Sequence, residues 1–358
     1  MKLTYKILSF TVFTLLRLFS FFTFFRKKKN PGKLLIEAGT KGWESIEYKE
    51  LLQSSIEFMG NSAITTQVFS STLETAKTLH KNKITHFLYD PRTGDDGNFL
   101  IFFKAIFLSL FCCIYNITPI AYLTDASDRR WRIAAIFVTA AKGTIITFIK
   151  PSSVRELFFH NRVLGPSLVP LSKKLLTNLL KKNIDWKKRE SNLVFSGLLY
   201  EPRKTHLLTI KDELSKHDIF FDIRGRERGA LRISDDEYWN NFSSHKYVLT
   251  TTGQISDPNY DRTDVAQLVY RFLEATACGS CLIAQNVPGS EIYFKNGENI
   301  FFFESKQDLI DFLIRDKKSN YSISKSIAQN GHSLAQSFIN TSSFWVNVNY
   351  VLGKDSLK

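Results

Sequence analysis

The chain has 358 residues, 44% hydrophobic and 23% charged, with 17 Gly, 9 Pro and 4 Cys. That length suits about two domains, and the composition excludes a disordered chain, a collagen, a many-span membrane protein and a disulfide scaffold. Most of the net charge of +14 sits in residues 1–30, with seven basic residues and no acid, and in residues 171–190, with seven basic and two acidic residues. This placement favours an anionic membrane surface over nucleic acid as partner.

Residues 1–30 read as a membrane segment. Leu8 to Phe25 is a greasy run with one charge, Arg17, at its centre, and is followed by Arg26-Lys27-Lys28-Lys29. As a helix it falls just short of a hydrocarbon core, and a central Arg costs a spanning helix about 2.5–3.5 kcal/mol. A short signal anchor with its basic end in the cytoplasm and a helix lying in the interface both fit. So does a hydrophobic helix packed on its own domain. A second greasy run, Phe99 to Tyr115, lies between strand-like segments and reads as a buried crossover helix, part of which could still meet a bilayer.

From residue 31 to 170, β-rich runs at Lys33–Ala38, Thr85–Tyr89, Ile120–Thr124 and Thr144–Ile149 alternate with helix-like stretches. Residues 171–190 form a basic amphipathic linker. A second series runs over 191–332, with strands at Leu193–Ser196, Ile219–Ile223, Tyr247–Thr251, Cys281–Ala284 and Ile300–Phe303. A last segment, 333–358, carries a helix over Ser333–Val351 able to pack back on the first domain. Strand–helix alternation of this kind predicts two α/β domains with parallel sheets facing a cleft, and ligands at the carboxyl ends of the strands.

Several residues stand where chemistry is expected. Asp125 ends a strand in Leu123-Thr-Asp-Ala-Ser127 and is the first candidate for a general base; it is equally placed to cap the helix starting at Asp128. Asp90 is the second candidate. Gly39-Thr-Lys-Gly42 is a glycine loop suited to close backbone approach, and Asp95-Asp96 reads as a turn. Cys278-x-x-Cys281 lacks a second pair for zinc and reads as small buried residues. The histidines and serines form no nucleophile constellation.

Tyr270-Arg-Phe-Leu-Glu-Ala-Thr-Ala-Cys-Gly-Ser-Cys-Leu-Ile-Ala284, then Val287-Pro-Gly-Ser-Glu291, then Phe294-Lys-Asn-Gly-Glu-Asn-Ile-Phe-Phe-Phe303 resemble the donor half of GT-B glycosyltransferases of the CgeB-like type. Val194-Phe-Ser-Gly197 with Pro202-Arg-Lys204, and Asp222-Ile-Arg-Gly-Arg226, are similar to that family's glycine turn and strand-end basic loop. The resemblance covers residues 192–315; over 33–170 it rests on strand–helix order.

The resemblance implies a GT-B fold and transfer of a sugar from a nucleotide diphosphate sugar to an acceptor hydroxyl. No further cofactor and no metal are implied. Glu274 would take ribose hydroxyls, although its spacing also suits an exposed pair with Arg271. Arg203, Lys204, Arg224 or Arg226 would neutralise the diphosphate, backbone N–H groups and the start of a helix would hold it, and Gly197, Arg271, Gly279 and Ser280 complete the implied donor-binding set. Many such enzymes carry a second Glu eight residues before Glu274, where this chain has Ala266. The implied partners are a nucleotide sugar, a glycan or lipid-linked acceptor and an anionic membrane surface, at its cytoplasmic face, in surface glycan synthesis. An epimerase or polyol-phosphate transferase on the same fold, or a membrane-tethered scaffold, are the alternatives.

Overall fold

The computed structural model describes residues 11–18, 32–38, 46–60, 63–67, 72–90, 98–123, 128–152, 162–199, 201, 203–227, 233–251 and 267–353. The chain divides into two compact units, one of residues 1–172 with 342–358, the other of residues 173–341.

The first unit holds six parallel strands: β1 (Leu34–Ala38), β2 (Ala63–Gln67), β3 (His86–Tyr89), β4 (Thr118–Leu123), β5 (Thr144–Thr147) and β6 (Arg162–Leu164), in the order β2-β1-β3-β4-β5-β6. Strands β3 and β5 are buried at every residue, as strands covered on both faces must be, which is why they read as uncharged, β-rich runs. Strands β2 and β6 were not foreseen. Ala63–Gln67 is polar at its end, and β6 has only three residues at the sheet edge.

Residues 11–18 are helical (α1), with Phe13 and Leu16 buried and Leu15 and Leu18 exposed. The other helices are α2 (Ile46–Met59), α3 (Thr72–Lys81), α4 (Asn98–Ile114) and α5 (Asp128–Thr139). The greasy run expected as a crossover is α4, which connects β3 to β4. Among the described residues no helix is long and apolar enough to cross a membrane, and most of the Leu8–Phe25 run lies outside them.

The second unit opens with the basic segment read above as a linker. Its helix α6 (Lys173–Lys181) buries Leu175, Leu176 and Leu179 and leaves its lysines outward. There follow β7 (Glu190–Leu199), α7 (Arg203–Ser215), β8 (Phe221–Glu227), α8 (Asp235–Ser244), β9 (His245–Thr250), α9 (Arg271–Ala277), β10 (Cys281–Gln285), β11 (Phe301–Phe303), α10 (Lys306–Lys318) and α11 (Ser322–Ser337). The parallel sheet has the order β11-β10-β9-β7-β8. One face packs Leu193, Phe195 and Tyr247 against Leu207, Leu309, Phe312 and Ile327 of the helices. Buried Asp316 ties α10 to its neighbours: it accepts from Tyr247 Oη at 2.6 Å and from the amides of Ile323 and Ser324 at 3.0 and 3.1 Å, satisfying the start of α11.

The helix expected over Ser333–Val351 is two helices. Helix α11 ends at Ser337, Ser342 is extended, and α12 (Ser343–Leu352) belongs to the first unit. There Trp345 is buried and donates to Ser54 Oγ at 3.0 Å, Ser343 Oγ accepts from the Leu168 amide at 2.8 Å, and Asn347 donates to Ser167 Oγ at 2.8 Å. Gly353, with φ 73°, stops the helix.

Candidate nucleotide site at the carboxyl ends of the second sheet

Because the strands are parallel, their carboxyl ends share one edge. Strand β7 delivers Gly197 there, β9 delivers Thr250 and Thr251, and β10 is followed by the loop Asn286–Ser290. The N-terminus of α9 delivers Arg271 to the same edge.

Gly197 and Arg271 are built for each other. A Cβ on Gly197 would lie 2.6 Å from Arg271 Nη2 and 3.2 Å from Phe195 Cζ, so the guanidinium occupies the space a side chain would fill. Arg271 Nη1 donates to Thr250 Oγ1 at 3.2 Å, and its Cζ lies 5.6 Å from the Phe195 ring centroid. Arg203 lies over the same ring at 5.9 Å and donates to the Leu198 carbonyl at 3.2 Å. Two cations thus share one aromatic ring at the end of β7. Arg271 has no carboxylate at ion-pair distance among the described residues, and its Nε is buried without a hydrogen-bond partner.

Three more buried polar atoms at this edge lack partners among the described residues: Thr251 Oγ1, Gln267 Oε1 and Ser290 Oγ. Ser290 follows Gly289, whose φ of 89° turns the loop after β10. Buried polar groups are ordinarily paired, so four such atoms at one strand edge mark a place where a polar ligand completes the bonding. Thr251 and Gln267 are what sequence reasoning missed; the signal for Thr251 was Thr250-Thr-Thr-Gly253 at the end of a fully buried strand. Beside the edge strand a cavity of about 580 Å³ is lined by Ser290, Glu291, Phe301, Asp308 and Asp311, among others.

The other candidates fall elsewhere. Lys204 holds Glu227 at 2.7 Å on the surface, and that hydrogen bond raises its pKa. Arg224 is tied to Asp222 at 2.5 Å and to Asn241, and Arg226 is exposed on the edge strand β8. Gly279 and Ser280 precede β10, so they stand at the amino end of the sheet, away from Arg271. There Arg189, almost fully buried, donates to the carbonyls of Phe242, His245 and Cys278, to Ser280 Oγ and to Asn183 Oδ1. Gly279, at φ 77°, ends α9, and a Cβ there would meet Asn183 Oδ1 at 2.2 Å. These two residues serve the helix–strand junction rather than a ligand at the carboxyl ends.

Glu274 lies one turn along α9 from Arg271, but it is 1% exposed, not on an exposed face. Its carboxylate accepts from Trp239 Nε1 at 3.0 Å and from Tyr238 Oη at 3.4 Å. The exposed pair with Arg271 is therefore not formed; Arg271 turns to Thr250 instead. Cys278 and Cys281 are buried free thiols, and burial pushes Cys278 up to about 12, so neither is a nucleophile.

In the first unit Asp90 directly follows β3 and is buried. Asp125, Asp95-Asp96 and the Gly39–Gly42 loop lie outside the described residues. Sequence reading also overlooked Glu37, fully buried on β1, which pairs with Lys104 at 3.2 Å and accepts from Thr75 Oγ1 at 3.2 Å.

His245, the first residue of β9, is buried with Nδ1 on the Asn241 carbonyl at 2.8 Å and Nε2 facing Glu190 and Asp222 at 3.5 and 3.8 Å. Burial lowers its pKa against the opposing pull of those partners. A folded pKa below the unfolded one makes the unfolded chain bind the proton first. Its contribution to stability is therefore intact above about pH 6.5 and lost as pH falls through the lower folded value. Urea unfolding followed between pH 7 and 5 is expected to show this loss, and His245→Gln is expected to flatten it.

Residues 208–341 match the family model described as "Glycosyl transferase-like". No curated protein matches the sequence. Among solved structures, Anabaena HepE in complex with UDP and glucose is similar at a TM-score of 0.57 and 12% identity, over 90% of this chain and 100% of that chain. The same protein in complex with UDP-glucose gives 0.54 and 10%, over 89% and 99%. An alpha1,3-fucosyltransferase gives 0.52 and 14%, over 92% and 94%. At such identities these likenesses establish the fold, and the family match, which lies wholly within the second unit, adds the rest. Residues 208–341 form a Glycosyl transferase-like family domain, and the chain is a glycosyltransferase of the GT-B fold.

Proposed function

We propose that the second unit binds a uridine diphosphate sugar at the carboxyl ends of β7, β9 and β10, and that the enzyme transfers the sugar to an acceptor hydroxyl. The observation that carries this reading is the Arg271 guanidinium seated over Gly197 with no carboxylate partner among the described residues, beside the buried Thr251 Oγ1, Gln267 Oε1 and Ser290 Oγ, which lack partners among them too. As the bond from the anomeric carbon to the phosphate oxygen breaks, negative charge gathers on the diphosphate, and Arg271 with Arg203 nearby stabilises it. The acceptor oxygen forms the new bond, and its proton passes to a carboxylate, assigned to Asp125 first and Asp90 second. Uridine as the base is supported by the UDP complexes of the Anabaena protein. A membrane-associated surface glycan as acceptor is supported by the basic, apolar N-terminal residues.

Titration calorimetry with UDP, GDP, CDP and dTDP tests the donor. Saturable binding of UDP in preference to the others is the expected result; binding of none of them would overturn the reading.

Glu274 is assigned the ribose hydroxyls, which would replace its longer bond from Tyr238 Oη. Because it is buried, Glu274→Ala also leaves the Trp239 N–H without its acceptor, at about 1–3 kcal/mol of stability. Glu274→Gln retains an acceptor for Trp239. We expect Glu274→Gln to melt near wild type but to bind UDP more weakly, and Glu274→Ala to lose both. UDP affinity unchanged in the folded Gln variant would leave Glu274 a packing residue only.

A further inference from the structure

The geometry points to a lipid-docking face on the first unit: we propose that the outward side of α4, with the basic side of α3 beside it, seats the protein on an anionic bilayer. The proposal is independent of the nucleotide site. Helix α4 packs against α3 and α5 and turns Phe102, Ala105, Leu108 and Cys112 inward, all buried. Its outward side carries Leu100, Phe103, Phe107, Ile114 and, just past its end, Tyr115, each between 44% and 67% exposed. Phe107 stacks on Phe111 at 6.3 Å and Tyr115 lies tilted against it at 4.3 Å, so these three rings form a continuous run within an apolar ridge. The one charge on α4, Lys104, points away to Glu37 at 3.2 Å. A surface helix ordinarily places its charges on the outward side, and here there are none.

What belongs on this ridge follows from the charges beside it. The rings of Tyr115 and His80 touch at 5.0 Å, joining the ridge to α3. From there α3 and the turn after it expose Leu73, Lys77, Lys81 and Lys83, against one acid, Glu74. Aromatic and aliphatic side chains in a row flanked by lysines match the acyl boundary and the anionic head groups of a bilayer surface. A ridge without charges of its own beside a mostly basic helix is poorly matched to a second copy of itself, because the lysines would face one another.

Flotation of the full-length protein without nucleotide tests this, using vesicles of phosphatidylglycerol with phosphatidylcholine, and of phosphatidylcholine alone. Wild type is expected to float with the anionic vesicles. Phe107→Gln with Ile114→Gln is expected to reduce the floated fraction at least tenfold with an unchanged melting temperature, since both side chains are solvent-exposed. Lys77→Glu with Lys81→Glu, which leaves the ridge intact, is expected to abolish the preference for anionic vesicles. Absence of flotation by wild type would overturn the proposal. So would flotation of both double variants at wild-type level, which would place the membrane grip elsewhere, in residues 1–30. Light scattering that finds a wild-type dimer turned to monomer by the ridge variant, without vesicle binding, would assign the ridge to self-association instead and equally overturn it.

Discussion

Replacing Arg271 by alanine is expected to weaken UDP binding roughly ten- to a hundredfold while leaving the fold intact. Hydrogen bonds to a charged group contribute about 1.5–3 kcal/mol, and 1.36 kcal/mol is a factor of ten. Among the described residues the guanidinium makes one hydrogen bond, to Thr250, and contacts the Phe195 ring. Its loss should therefore lower stability by about 1 kcal/mol or less. Gly197→Ala reaches the same site from the opposite side. The new methyl would lie 2.6 Å from Arg271 Nη2, the mobile end of a flexible side chain, so the guanidinium is pushed aside and the sheet is not. Both variants should melt near wild type, and both should lose nucleotide affinity; calorimetry on the two proteins measures this. Wild-type affinity in a folded Arg271→Ala protein would remove the diphosphate from this end of β7.

Replacing Arg189 by alanine is expected to have the opposite profile, a large loss of stability with no direct effect on the nucleotide. Its guanidinium satisfies five acceptors from α8, β9, the end of α9 and the segment before β7. Burial lowers its pKa to about 10, so the charge costs energy that these bonds must offset. Without it several buried carbonyls lose their donor, and breaking such a buried charged centre costs about 3–5 kcal/mol. For a unit of this size each kcal/mol moves the melting temperature by roughly 2–4 °C, so a fall of roughly 6–20 °C is expected in a thermal scan. Arg189→Lys should recover only part of it, because an ammonium has three donors and no planar fork. UDP affinity of the variant, measured below its melting point, should match wild type. A selective loss of nucleotide affinity with an unchanged melting point would return Gly279 and Ser280, which lie against Arg189, to the ligand site.

The recurrence of β-rich runs and helix-like stretches was enough to establish two parallel α/β units. Burial on both faces turns a parallel strand into an apolar run, and Leu193–Ser196, Tyr247–Thr251 and Cys281–Ala284 each sit within one residue of, or inside, an observed strand. Helix α4 was equally legible, because a 17-residue apolar stretch between two strands has one short way to connect them. Gly197 and Arg271 could be singled out as residue types, a glycine at a strand end and an arginine at a helix start. That they share one volume, so that the missing Cβ of one holds the guanidinium of the other, depends on the 73 intervening residues bringing β9 and α9 beside β7. The direction of α9 decided the rest. A helix that starts at the carboxyl edge and runs back along the sheet carries Gly279 and Ser280 to the amino edge, however closely they follow Arg271 in sequence. The same packing buried Glu274 under Trp239, drew α6 out of an apparent linker and sent α12 back to the first unit. Local periodicity determines which residues form strands and helices; which side chains meet is settled by long-range contacts between elements, and those leave no local trace in the sequence.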